Sequence, residues 1–355
     1  MIKIGSVRES SFGHLILNTI RYFAERKYFF LVIVSSKKKI VNRYVYNFLK
    51  NNYSTNRVFF YENELLNLLI KFFYKIQKKI KILSFFYANI SWIHHEKPRI
   101  NYGSIYRFYD SYLYKKKKLK KFGNTKKFTT WRKKNNLTGK YVCIFSRDSG
   151  YYKEKIIDPR NFSFSNYKST INKLIKLNYK VVRMGRDNKE NFKTKNKNFF
   201  DFDDLTKNET KDHLEFIEFM LFKNCKFIIG STSGIQAYAL LFDKLFFFVN
   251  NFPAGRIPIF KKCLYINKKY KKNNKLIPYH KIDKKLLLSE DYKKIKSKGY
   301  KIVNNTEKEI YDLVTKNINK QNGINLKNKY NFIIEGEGGL CSKYWYKKNY
   351  KLFKS

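Results

Sequence analysis

Between residues 141 and 250 the chain repeats one pattern: a short apolar run, a polar turn, then a stretch with helical spacing of its apolar residues. Tyr141–Ser146, Lys180–Met184, Phe227–Ile229 and Leu245–Asn250 read as strands. Tyr167–Leu177, His213–Phe222 and Ile235–Leu241 read as the helices between them. Short apolar strands separated by helices predict a doubly wound parallel α/β sheet, whose ligands bind at the carboxyl ends of the strands.

The first residues open in the same way. Ile2–Gly5 reads as a strand, residues 6–14 as a polar loop, Leu15–Lys27 as a helix with Leu15, Ile16, Ile20 and Phe23 on one side, and Phe29–Val34 as a second strand. Residues 40–95 are mostly helical in period, and Leu65, Leu66, Leu68, Leu69, Phe72 and Phe73 form a broad apolar face that reads as core. Periodicity fails between Tyr114 and Lys140, where Lys115–Lys118, Gly123–Thr125 and Arg132–Asn136 suggest an interdomain connection or a basic surface element. A length of 355 residues at 43% hydrophobic suits about two domains.

The formal charge is +49, yet Lys supplies 63 of the basic residues and Arg only 13. Asn, Ile, Phe and Tyr are abundant as well, and all of these residues are written by A- and T-rich codons. Two readings stay open: a codon-biased background that scatters Lys over solvated faces, or a concentrated functional stripe. Cys143, Cys225, Cys263 and Cys341 form no Cys-x-x-Cys pair, so a reduced, cytoplasmic protein is expected. The start, Met1–Gly5, shows no secretory pattern, and runs such as Phe29–Val34 are too short to cross a bilayer. Any membrane contact is expected to be peripheral.

Ser231-Thr232-Ser233-Gly234 follows a predicted strand and precedes a predicted helix. Such a turn offers backbone N–H groups and hydroxyls to an anion such as a diphosphate, although a Ser/Thr cap alone has a similar look. Arg147, Arg160, Arg183 and Arg186 fall within 40 residues, and Arg147 and Arg183 each follow a strand. Guanidinium forks match phosphate oxygens, while structural ion pairs, for instance with Asp148 or Asp187, are the alternative. His14, after Gly13 in the first loop, suits a general base or a capping role. Asp201-Phe202-Asp203-Asp204 contains the Asp-x-Asp pattern that can hold a divalent cation. Walker, Gly-x-Gly-x-x-Gly and Gly-x-Ser-x-Gly motifs do not occur.

Taken in order, Phe12-Gly13-His14-Leu15, Ser146-Arg147-Asp148-Ser149-Gly150-Tyr151-Tyr152, Pro159-Arg160-Asn161, Val182-Arg183-Met184-Gly185, Ile229–Gly234, Asn250 and Ser342-Lys343-Tyr344-Trp345 resemble a family of bacterial glycosyltransferases whose genes are associated with surface-polysaccharide synthesis. The resemblance implies a GT-B architecture, two Rossmann-like doubly wound domains facing across a cleft. It places an acceptor-side domain at residues 1–135, a nucleotide-sugar domain at 136–318, and a tail at 319–355 expected to pack back on the first domain. It further implies transfer of a sugar from a nucleotide-diphosphate donor to a glycan or lipid-linked acceptor, at the cytoplasm or inner membrane surface. Donor contacts would come from Arg147, Arg160, Arg183, Gly185, Ser231, Thr232, Ser233 and Gly234. His14 or Asp148 would deprotonate the acceptor.

Ser233-Gly234 resembles the Thr-Gly element that cradles the diphosphate in heptosyltransferases, and Gly13-His14 resembles the end of the first loop in the lipid-linked peptidoglycan glycosyltransferase. Heptosyltransferases carry Asp before that Thr and His three residues after the Gly, where this chain has Thr232 and Ala237. No metal, separate cofactor or nucleic-acid partner is expected, and an anionic membrane is a candidate peripheral contact. Two rivals remain: a metal-dependent transferase using Asp201, Asp203 and Asp204, and a non-enzymatic polyanion or nucleic-acid binder using Lys115–Lys134.

Overall fold

The computed structural model describes residues 2–6, 10–25, 30–36, 40–54, 56, 58–79, 90–94, 122–148, 150, 158–327, 329–333, 336 and 338–354. Lys115–Lys118 and the motif residues Ser149, Tyr151 and Tyr152 lie outside these. The chain forms an α/β protein with two compact units, Met1–Asn124 with Lys211–Phe219, and Thr125–Thr210 with Met220–Ser355.

The first unit has a parallel sheet of β1 (Ile2–Ser6), β2 (Phe30–Ser35), β3 (Val58–Glu62) and β4 (Ile90–His94) in the order β3-β2-β1-β4. Helices Phe12–Glu25, Arg43–Tyr53 and Glu64–Lys79 make the crossovers. Because the strand order reverses after β3, right-handed crossovers place the third helix on the face opposite the first two. Leu15, Ile16, Ile20, Val34, Val45, Leu49 and Ile70 are buried in the core. Residues 211–219 join this unit through Asn42, which caps the second helix by accepting from the Val45 amide at 3.0 Å and donates to Glu218 Oε2 at 3.0 Å.

Three expectations for this unit need correcting. Residues 40–95 also contain β3 and β4, short apolar runs that periodicity alone does not distinguish from helix. His14 lies inside a helix rather than a loop, since the Leu15 amide already bonds the Ser11 carbonyl at 2.9 Å. The face taken as core is not the buried one: Leu65, Leu68, Leu69 and Phe72 are exposed and Leu66 and Phe73 half-buried, while Asn67 and Ile70 are buried.

The second unit carries β5 (Tyr141–Ile144), β6 (Lys180–Arg183), β7 (Phe199–Asp201), β8 (Phe227–Gly230), β9 (Leu245–Asn251) and β10 (Cys263–Asn267). A small separate sheet comprises β11 (Lys269–Lys272), β12 (Lys275–Leu276) and β13 (Lys301–Val303), and β14 (Gly323–Ile324) and β15 (Leu340–Ser342) complete the main sheet. The main order is β14-β15-β10-β9-β8-β5-β6-β7, parallel except for β14 against β15. Counted from β5, the parallel core has the 3-2-1-4-5-6 order of a doubly wound sheet, which reverses between β5 and β8. The predicted strands match to within a few residues, because strands covered on both faces read as continuous apolar runs.

Residues 319–355, expected as a separate tail, belong to the second unit. β15 pairs with β10, and Trp345 Nε1 donates to Glu309 Oε1 at 2.8 Å, so this segment extends the second sheet. The connection at Thr125–Lys134 is a helix of the second unit, with Phe128 and Trp131 buried and its lysines exposed. Between β6 and β7 the chain crosses without a helix.

Candidate anion-binding site

The loops leaving β5 and β8 lie where the strand order of the second unit reverses, the place where open α/β sheets bind ligands. They are joined directly. The backbone amide of Arg147 donates to Ser231 Oγ at 3.1 Å, and both residues are buried. Gly230 closes this junction, because a Cβ there would sit 2.2 Å from the Phe145 ring.

Arg147 and Arg160 share one carboxylate. Arg147 Nη2 lies 3.0 Å from Asp158 Oδ2, and Arg160 grips both oxygens, with Nε at 2.9 Å from Oδ1 and Nη2 at 2.5 Å from Oδ2. Burial pushes the Asp158 carboxyl up, but the hydrogen bonds and charge of Arg160, aided by Arg147, outweigh it and hold the group at about 2. Arg160 Nη1 also lies 3.8 Å from Glu290, which Arg256 holds at 3.0 Å, so three guanidiniums face two carboxylates and the cluster keeps a net positive charge. Arg147 is buried and Arg160 is partly open to solvent. Lys268, just after β10, donates to the Pro159 carbonyl at 2.5 Å and to Asn304 Oδ1 at 2.6 Å, so it anchors the peptide between Asp158 and Arg160. Burial pulls the Lys268 ammonium down to about 7 against the opposing charge of Asp158.

The other proposed donor contacts divide. Arg183, at the end of β6, is buried, pairs with Asp201 at 3.1 Å and lies 4.4 Å over the Phe164 ring. Ion pairs thus hold both strand-end arginines, but the acids are Asp158 and Asp201 rather than Asp148 or Asp187. Arg183 and Asp201 line a cavity of about 960 Å³, with Lys193, Lys195 and Phe199, where a crossover helix is missing. Gly185 turns the chain after β6 at φ 131°. Of the three hydroxyls expected to face outward, Ser231 is fully buried and Thr232 donates to the Phe252 carbonyl at 3.3 Å; Ser233 is half-buried. The expected helix at Ile235–Leu241 is a 3₁₀ turn, Gly234–Gln236, followed by the short segment Ala237–Leu241. Its dipole is correspondingly small, so the positive field here comes mainly from the arginines.

Asp148 accepts from the Gly150 amide at 2.9 Å and from the Lys189 amide at 2.8 Å, which ties the loop after β5 to the loop after β6. Asp201 caps Phe202–Thr206, and Asp203 accepts from the Asn188 amide at 3.3 Å. Burial raises both carboxyls, Asp201 against the opposing charge of Arg183. Among the described residues, no cluster of three or more His, Cys, Asp or Glu converges on a point that suits a cation. His14 is half-buried in the first turn of Phe12–Glu25, past β1, at the reversal of strand order in the first unit.

Sequence reasoning passed over Asp158 and Lys268. Asp158 directly precedes the Pro159-Arg160-Asn161 run, which was the available signal, whereas Lys268 is one of 63 lysines and carries none.

No protein-family model matches the chain, and no curated protein matches it in sequence. Among solved structures it is similar to a glycosyltransferase family 9 protein from Veillonella parvula, at 11% identity over 89% of this chain and 96% of that one, with a TM-score of 0.47. It is similar to the E. coli ADP-heptose LPS heptosyltransferase II, at 12% identity over 77% and 92%, with a TM-score of 0.43. It is also similar to E. coli heptosyltransferase WaaC with ADP-2-deoxy-2-fluoro heptose, at 11% identity over 77% and 94%, with a TM-score of 0.36. Likeness at these identities and TM-scores assigns neither substrate nor site residues to this chain.

Proposed function

We propose that this chain is a GT-B glycosyltransferase that moves a sugar from a nucleotide-diphosphate donor to a glycan or lipid-linked acceptor in surface-polysaccharide synthesis. The observation that carries this reading is the Arg147–Asp158–Arg160 cluster, fastened to Ser231 at the reversal of strand order. A leaving diphosphate needs fixed positive groups that do not reorganise during reaction, and a partly buried cluster of Arg147, Arg160 and Arg256 against Asp158 and Glu290 supplies them. Arg160 is the most accessible of the three and would meet the phosphates first. Ser233 and Gly234 would add polar contacts, with Arg183 and Gly185 bordering the site from the next strand. The sugar chemistry itself is supported by the motif resemblance.

His14 is the better base for the acceptor, since the Asp148 oxygens already accept two backbone amides. The reading needs no metal, because Asp201 and Asp203 are engaged with Arg183 and Asn188. A thermal-shift screen against nucleotide sugars, with and without EDTA, tests it. A matching donor should stabilise the fold by about 2.7 kcal/mol at a hundredfold excess over Kd, with EDTA making no difference. Stabilisation lost with EDTA would favour the Asp-x-Asp rival. Steeply salt-dependent binding without nucleotide preference would favour a polyanion binder.

A further inference from the structure

Lys268 and Asn304, which together hold the peptide between Asp158 and Arg160, stand at the root of the small sheet, since β11 begins at Lys269 and β13 ends at Val303. The sheet therefore grows out of the arginine cluster. Its far end is a two-residue hairpin, Asn273-Asn274, with both residues at positive φ (50° and 58°), the turn geometry that matches the twist of the strands it joins. What this hairpin displays costs stability. Lys271 lies directly opposite Lys301, and Lys272 directly opposite Lys275, positions in which like charges repel. Lys272 reaches over the Tyr300 ring at 5.3 Å, and Lys296 and Lys298 add charge from the end of helix Tyr292–Ser297. Of these six lysines Lys271 is half-buried and the others are exposed.

Acids do not offset them. Residues 268–301 hold 13 lysines against Asp283, Glu290 and Asp291. Asp283 and Asp291 cap helices, and Glu290 faces Arg160 and Arg256. Lys271, Lys272, Lys275, Lys296, Lys298 and Lys301 thus have no acid partner, whereas Lys262, Lys269, Lys308 and Lys348 of the same unit each have one within 3.8 Å. Codon bias supplies lysines, but it does not segregate them from acids. We propose that this surface docks an acidic glycan chain, its lysines meeting the carboxylates of that chain. The inference rests on the glycosyltransferase reading and names the acceptor as a charged glycan. No Arg occurs after Arg256, Tyr270 is buried and Tyr300 is half-buried beside Lys272, so the surface lacks the guanidinium forks and open rings that nucleic acids use. Leu276 is its one exposed large hydrophobic side chain, so it offers no apolar stripe to a bilayer. Ammoniums are point charges on flexible stems, which suit anionic groups carried at intervals along a polar chain.

The test is calorimetric binding of polygalacturonate, neutral dextran and a single-stranded DNA oligonucleotide to the full chain at several salt concentrations, with melting temperatures measured alongside. Wild type should bind polygalacturonate, more weakly as salt rises, and should not bind dextran. Lys271→Gln, Lys272→Gln, Lys275→Gln and Lys301→Gln together should weaken polygalacturonate binding about tenfold or more and flatten its salt dependence. A control with the same loss of charge, Lys126→Gln, Lys127→Gln, Lys133→Gln and Lys134→Gln on the exposed side of helix Thr125–Lys134, should change it by less than about twofold. The hairpin variant should melt no lower than wild type, because two repulsive pairs are gone. Equal effects of the two variants would overturn the proposal in favour of bulk charge, and tighter binding of DNA than of polygalacturonate would overturn it in favour of nucleic acid. Should the fourfold hairpin variant melt several degrees lower, Lys275→Gln with Lys298→Gln, both exposed, decides instead: undiminished polygalacturonate binding by that pair would overturn the proposal. Nucleotide-sugar stabilisation is measured on the same proteins, so a chain that binds polygalacturonate at the hairpin but no donor refutes only the enzymatic reading.

Discussion

The amide of Arg147 and the hydroxyl oxygen of Ser231 meet at 3.1 Å, joining the exits of two strands that are neighbours in the sheet but distant in sequence. This bond sets where the Arg147 guanidinium begins. It therefore sets where the Asp158 and Arg160 groups gather.

Replacing Ser231 with Ala should leave a buried amide without its acceptor. The expected loss is about 1–3 kcal/mol of stability, read from urea unfolding, with weaker nucleotide-diphosphate binding in calorimetry. A change below about 0.5 kcal/mol would show that the amide finds another partner.

Gly230→Ala should destabilise through overpacking, because the added methyl would sit 2.2 Å from the Phe145 ring. A cost of about 1–3 kcal/mol is expected. Combining it with Phe145→Leu should recover part of that loss, and the double-mutant cycle measures the coupling directly. Strict additivity would place the damage elsewhere.

The buried ammonium of Lys268 gives a signed pH dependence. Its folded value is near 7, below the ordinary 10.5, so between those limits the unfolded chain binds a proton that the folded chain does not. Its contribution is most favourable above pH 10.5, falls as pH drops toward 7, and stays level below that. Relative to wild type, Lys268→Met should lose this slope while also losing two hydrogen bonds at all pH values where they form. Urea melts at about pH 7, 8.5 and 10 check this; parallel stability curves for the two proteins would contradict it.

His14→Ala should lower turnover by about 10²–10⁴-fold once a donor and acceptor pair is found, as expected for loss of a general base. Donor binding should persist, because the arginine cluster belongs to the second unit. Near-normal turnover would remove His14 from catalysis. Loss of the folded state would instead identify it as a packing residue of the first helical turn.

The alternation of apolar strands and helices from Tyr141 to Asn250 was legible because strands buried on both faces must be continuous runs of large apolar residues. The Arg cluster was legible for a related reason: guanidinium chemistry stands out in a chain that otherwise writes its charge as Lys. Tertiary structure decided the rest. β3 is an edge strand with Phe59 and Tyr61 exposed, yet Val58–Tyr61 is apolar at every position, and Leu68 and Phe72 likewise carry the same hydrophobic signature whether they face a core or the outside. Lys268 is chemically identical to its fellow lysines until burial places it beside Asp158 and Pro159. Local pattern determines which elements form, but the depth of a charge and the acid that pairs with it depend on segments that only the folded sheet brings together.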